Sequence, residues 1–170
     1  MPRQFKYPEF SDPQVRPRYT GIPTFLRAPY QEDPEGLDIA LVGVPFDGGV
    51  TNRTGARHGP REIRNQSSLI RKINQATGLN PYESCRIADV GDAWVEGPFE
   101  LEKSLDEIEG CFREIHDAGV VPVSAGGDHS VTLPIFRALA KQRPVGMVHF
   151  DAHCDTGDDY LGSKFHHGAP

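Results

Sequence analysis

The sequence predicts an α/β protein: a parallel sheet covered by helices on both sides, in three α-β-α layers. Three observations predict it. Apolar runs at 38–46, 120–124 and 145–150 lack polar alternation, as strands buried on both faces do. Helical patterns separate the strands, giving the order strand, helix, strand, helix, strand, helix, strand, the signature of a parallel sheet with right-handed crossovers. Each of the three runs also ends in a glycine or polar cluster, and ligands of open α/β sheets bind at the C-terminal ends of strands.

Residues 1–37, rich in proline and charge, read as an irregular arm packed on the domain or on a neighbouring subunit, with a loose tail equally open. Residues 38–170 form the α/β portion. The first strand, Asp38 to Phe46, is broken by Asp47-Gly48-Gly49. After the loop 51–60, Pro60 suits the first turn of a helix, where its missing N–H costs nothing. That helix is expected to reach Lys72, with Ile63, Leu69 and Ile70 turned inward. Arg53, Arg57 and His58, just before it, read as loop anchors paired with carboxylates.

Arg86 to Asp92 reads as a short strand and turn in which Asp89 and Asp92 are turn formers or caps before they are ligands. A long helix follows from Pro98 to Ala118. Leu101, Leu105, Ile108, Phe112 and Ile115 recur at alternating spacings of four and three, one face of an α-helix. Gly119 ends it. The strand Val120 to Ser124 turns at Gly126-Gly127 into a helix opening near Ser130 and closing at Gln142-Arg143-Pro144. Asp128 and Ser130 are each suited to cap it. The final run, 145–150, is expected to be the fourth strand.

The 170 residues suffice for one domain with a core, at a formal net charge of −6. No lysine and arginine block stands out, which argues against nucleic acid as a partner. No apolar run approaches spanning length, so no membrane partner is expected. Three widely spaced cysteines, Cys85, Cys111 and Cys154, suit a reducing cytoplasm better than a disulfide framework.

The chemistry is expected at the strand ends. On an extended strand, residues two and four apart share a face, so Asp151, His153 and Asp155 would converge if that geometry persists. A histidine between two acids suits a divalent transition metal. Alone, Asp-x-His-x-Asp is more often a polar loop. Its place after a buried strand, and a second acid and histidine at 126–130, favour a metal site. His129 caps poorly, sits between two residues that cap well, and reads as a ligand. The chain stops after its most polar strand, so it looks like the N-terminal half of something longer.

Several blocks together resemble the ureohydrolases, the family of arginase, agmatinase and the guanidino-acid hydrolases. They are Gly126-Gly127-Asp128-His129-Ser130, Asp151-Ala152-His153-Cys154-Asp155 and His167-Gly168-Ala169-Pro170, supported by Leu41 to Pro45, Gly55 to Arg64 and Asp89 to Asp92. Arg18 to Phe25 and Thr51-Asn52-Arg53 look like the agmatinase and guanidino-acid branch.

The resemblance implies an arginase-like fold and a pair of Mn2+ ions. A hydroxide bridging them would hydrolyse a linear guanidine to urea and an amine. Carried over position by position, His129, Asp151 and Asp155 would hold one manganese. Asp151 would bridge to the second, which His153 also binds. Asp155 would relay a proton to the leaving amine, and His167 matches the active-site histidine that follows the substrate loop.

In that loop, 156–164, Tyr160 is expected to hydrogen-bond the carboxylate of a guanidino acid such as 3-guanidinopropanoate or 4-guanidinobutanoate. Asp158 or Asp159 would instead attract the second cation of agmatine. The family's later Asp-x-Asp ligands have no counterpart here, so the 170-residue chain alone is expected to bind manganese weakly, to expose apolar sheet surface and to be inactive or poorly folded. A homo-oligomer, trimer or hexamer, is implied by resemblance. A metal-dependent deacetylase and a non-catalytic assembly subunit are the rival readings.

Overall fold

The structure is a computed structural model that describes residue 14 and residues 16–170; the rest of the expected arm lies outside the described residues. Its centre is β1 (Ile39–Val44), whose last five residues are all buried. β2 (Ile87–Asp92) and β3 (Val121–Gly126) flank it in the order β2-β1-β3, both parallel to it. Ile39 sits opposite Ile87 on one side and Val121 on the other.

The pleat of β1 assigns its two faces. Ala40, Val42 and Val44 pack into a core with Leu105, Ile108, Phe112 and Ile115 of α3 (Leu101–Asp117) and Ala138 of α4 (Thr132–Leu139). Leu41 turns the other way, against Phe25 and Ala28 of the N-terminal segment, with Ile39, Tyr82, Ile87 and Ala125 around them. Burying a side chain such as Phe112, 0% exposed, contributes about 1.5–3 kcal/mol by removing apolar surface from water.

α1 (Gly59–Gln66) lies on the second face. A Cβ on Gly43 would fall 2.9 Å from the Pro60 Cβ and 1.9 Å from Asp92 Oδ1, so only glycine lets this helix approach the sheet. Arg64 of α1 ties the layers. Its Nε and Nη2 donate to the two oxygens of buried Asp89 at 2.8 and 2.9 Å, and its Nη1 donates to Asp92 at 2.6 Å. Asp89 also accepts the backbone N–H groups of Phe25 and Gly91 at 2.8 and 2.9 Å. This acid is therefore a tertiary anchor, more than a turn former.

Two expectations are corrected. The helix after Pro60 ends at Gln66, followed by a 3-10 turn at Ser67–Leu69, instead of running to Lys72. Ile63, Leu69 and Ile70 are exposed because nothing apolar packs over that side of the turn among the described residues. The run 145–150 forms no strand. A strand exists by its ladder, and none reaches this run among the described residues: β3 pairs with β1 alone, leaving its outer edge open. Val121 and Val123 on that edge, and Val148 and Phe150 in the unpaired run, are all exposed. The sheet therefore has three strands, not four. A single turn, α2 (Pro81–Ser84), capped by Asn80, is an element the sequence did not suggest.

Candidate metal centre

The rim at the C-terminal ends of β1 and β3 is built by two turns that lock together. After β1, buried Asp47 accepts N–H groups from Gly55 and Arg57 at 2.7 and 3.3 Å and the Arg57 Nε at 2.5 Å. The Arg57 side chain holds the Asp47 carboxyl down at about 2, with the two backbone donors adding to it against the cost of burial. This is the loop-anchoring pair expected for Arg57.

After β3, the Asp128 N–H donates to Phe46 O at 2.9 Å. The Asp128 side chain caps a 3-10 turn, His129–Val131, by accepting the Ser130 N–H at 2.7 Å. Capping of this turn leaves the His129 ring pointing away from the cap. Its Nδ1 lies 2.5 Å from Asp155 Oδ2 and 3.8 Å from Asp151 Oδ2.

Four side chains meet here. One donor atom from each of His129, His149, Asp151 and Asp155 lies within 4.8 Å of the others. Three of the four expected ligands are among them. The fourth member, His149, was not foreseen, although the alternation that aligns Asp151 with His153 also aligns Asp151 with the residue two before it. Its Nε2 is 3.6 Å from Asp151 Oδ2, and its ring centroid is 5.2 Å from that of His129.

His153 stands outside this group, largely exposed, on the other side of the same carboxylate: its Nδ1 is 3.5 Å from Asp151 Oδ1. Asp151 thus shows Oδ2 to two imidazoles, His129 and His149, and Oδ1 to His153. Asp155 reaches the cluster from a left-handed backbone, φ +48°, so extended geometry does not persist to it. The His153 N–H, 2.9 Å from Oδ1, holds the Asp151 carboxyl below its ordinary range, and the neighbouring imidazoles add to this. An ionised carboxylate and two imidazoles are a donor set that suits a divalent transition metal.

The remaining predicted residues gather in a second group. Tyr160 and Ser163 form an isolated bridge, and the Tyr160 ring lies 5.7 Å from that of His166. His166 Nε2 is 3.2 Å from Asp158 O, while the exposed Asp158 side chain pairs with Lys164 at 3.3 Å. His167 folds back on the first turn: its N–H and its Nδ1 lie 3.1 and 2.9 Å from Gly49 O.

A parallel α/β sheet with an imidazole and carboxylate cluster beyond its carboxyl rim is the class of architecture this chain presents. The family match narrows it: residues 37–170 match the arginase family, and the chain belongs to that family. It is 55% identical over 165 residues to a guanidinopropionase of Pseudomonas aeruginosa, covering 96% of this chain and 52% of that protein. The structure is similar to proclavaminate amidino hydrolase from Streptomyces clavuligerus, with a TM-score of 0.85 at 38% identity, over 91% of this chain and 51% of that one. It is also similar to a Trypanosoma cruzi formiminoglutamase variant solved with Mn2+, with a TM-score of 0.70 at 26% identity, over 79% and 46%. The chain spans about half the length of the relatives it matches.

Proposed function

We propose that this chain supplies half of the catalytic centre of a manganese-dependent ureohydrolase acting on a linear guanidine. The observation that carries the reading is the Asp151 carboxylate, with Oδ2 toward His129 and His149 and Oδ1 toward His153. That is the arrangement of a carboxylate shared between two cations. His129, Asp151 and Asp155 would hold one Mn2+, and Asp151 with His153 would contribute to a second. Mn2+ bound there supplies Lewis acidity, which makes water more acidic and stabilises negative charge on oxygen.

The chain's own residues account for the rest. Asp155 and His167 are the proton carriers. Water adds to the guanidinium carbon, the bond from that carbon to the alkylated nitrogen breaks, and urea and an alkylammonium result. Both protons of the water reach the leaving nitrogen, which already carries one hydrogen and so departs as the ammonium; Asp155 and His167 Nε2 would carry them, an exchange suited to an imidazole near neutral pH. The loop carrying Asp158 and Tyr160 faces the substrate tail. The Tyr160 hydroxyl would donate to the carboxylate of 3-guanidinopropanoate or 4-guanidinobutanoate, and Asp158 would suit the distal cation of agmatine. The relation to a guanidinopropionase favours the acid. The proposed setting is a reducing, cytoplasmic one, and the proposed assembly a homo-oligomer. Among the described residues, no helix is long and apolar enough to cross a membrane.

The test is urea release from 3-guanidinopropanoate, 4-guanidinobutanoate and agmatine. It uses the chain alone and the chain co-expressed with the part of the Pseudomonas aeruginosa guanidinopropionase outside the match. The complemented complex is expected to bind two Mn2+ and release urea, and Asp155→Asn to abolish release. The 170-residue chain alone is expected to be inactive. Urea from none of the three substrates in the complex, or acetate release from acetylated amines instead, would overturn the reading.

A further inference from the structure

Asp128 has no part in the chemistry above, yet its side chain accepts three hydrogen bonds at the rim. It is 7% exposed. Its Oδ1 accepts the Ser130 N–H at 2.7 Å and a short bond from the Ser130 hydroxyl, and its Oδ2 accepts the Gly49 N–H at 2.8 Å. Three donors converge on one side chain, which only a group that accepts on both oxygens satisfies. Gly49, which it holds by the N–H, presents the carbonyl of its next peptide to His167, which meets it with both its backbone N–H, at 3.1 Å, and its imidazole Nδ1, at 2.9 Å.

A carbonyl oxygen only accepts. Nδ1 must therefore carry the hydrogen, and in the neutral imidazole Nε2 is left with its lone pair. A Cβ on Gly49 would sit 2.7 Å from the Ser130 Oγ and 2.8 Å from its Cβ, so the turn has no slack at this point.

We propose that Asp128 is a positioning residue: by holding the N–H side of Gly49 it fixes where the Gly49 carbonyl sits, and with it the ring of His167 and the tautomer that leaves Nε2 to exchange a proton. Its catalytic consequence rests on the reading of His167 given above, but the positioning itself does not. The role explains why the turn after β3 carries an acid here. An asparagine caps the Ser130 N–H equally well, but its amide NH2 would face one of the other donors. It also links segments distant in sequence, 46–49, 126–130 and 166–168, into one bracket beside the cation cluster.

The test is imidazole 15N–1H correlation on the labelled 170-residue chain at about pH 8, above the usual imidazole range. His167 is expected in the Nδ1–H tautomer, against the Nε2–H form that free histidine prefers. In Asp128→Asn, the β1–β3 amide peaks should persist while His167 relaxes toward the ordinary tautomer mixture. Hydrogen exchange on the unaltered chain supplies a second reading that needs no variant. The Gly49 amide is expected to be protected roughly tenfold to a hundredfold over an open loop amide, as a bond to a buried carboxylate requires.

An Nε2–H tautomer in the unaltered chain, or an unprotected Gly49 amide, would overturn the proposal. So would a His167 signature unchanged in folded Asp128→Asn. Urea release by His167→Asn in the complemented complex tests the proton role separately. Full activity there would remove that role and leave the bracket standing, whereas lost activity with an unmoved tautomer in Asp128→Asn would remove only the bracket.

Discussion

Replacing Arg64 by methionine keeps an unbranched, largely apolar stem and removes the guanidinium, so it tests what the guanidinium does for the fold. The Arg64 side chain is 13% exposed and that of Asp89 1%, which places the pair where removing one partner costs about 3–5 kcal/mol by leaving a buried carboxylate uncompensated. Two features set the value within that range. Asp89 keeps the N–H groups of Phe25 and Gly91 after the change, which moves the cost toward the lower end, about 3 kcal/mol. The arm to Asp92, whose side chain is 42% exposed, adds less than about 1 kcal/mol.

Urea denaturation of the 170-residue chain followed by circular dichroism should show this loss, and the melting temperature should fall by about 6–12 °C. Adding Asp89→Asn should restore part of the stability, because the orphaned charge is then gone. A loss below about 1 kcal/mol for Arg64→Met, or an Asp89→Asn cost that simply adds to it, would refute the account of the pair as a buried anchor.

Two other outcomes follow from single groups. Because the Asp47 carboxyl is held near 2 in the fold against an ordinary 3.8, its contribution is complete above 3.8 and disappears as the pH falls toward 2. Asp47→Asn should flatten the acid end of a stability-against-pH curve while lowering stability at neutral pH. Burial, with Glu114 beside it, pushes the Cys111 thiol up to about 11, so at about pH 8 only about one molecule in a thousand carries the thiolate. Iodoacetamide should leave Cys111 unlabelled while it modifies exposed Cys154. Mn2+ should slow the labelling of Cys154, which sits between His153 and Asp155. Equal labelling with and without Mn2+ would count against an ion at the cluster.

The buried elements were the legible ones. The period of Leu101, Leu105, Ile108, Phe112 and Ile115 gave α3 to within three residues at its start and one at its end, because one helix face meets one core. β1 was equally plain, being apolar on both faces and buried on both. Where a local pattern depends on a neighbour it does not name, reading failed. Ile63 and Ile70, seven apart, carry helical spacing but find nothing to cover them, and 145–150 is an apolar run like β1 yet makes no ladder. The site divides in the same way. His129 was legible because two better caps flank it. His149 was missed because it stands inside an apolar run, where a histidine looks like part of a strand. Asp128 was legible as a cap, but its bond to Gly49, 79 residues away, is a fact of tertiary structure alone.

Among the described residues, the outer side of β3 meets no partner strand. A strand with unpaired peptide groups and two valines facing water, Val121 and Val123, is a template onto which any extended backbone can dock. The dispersion of this chain should therefore fall with rising concentration, and an added peptide that lines up along this strand should keep it monomeric longer.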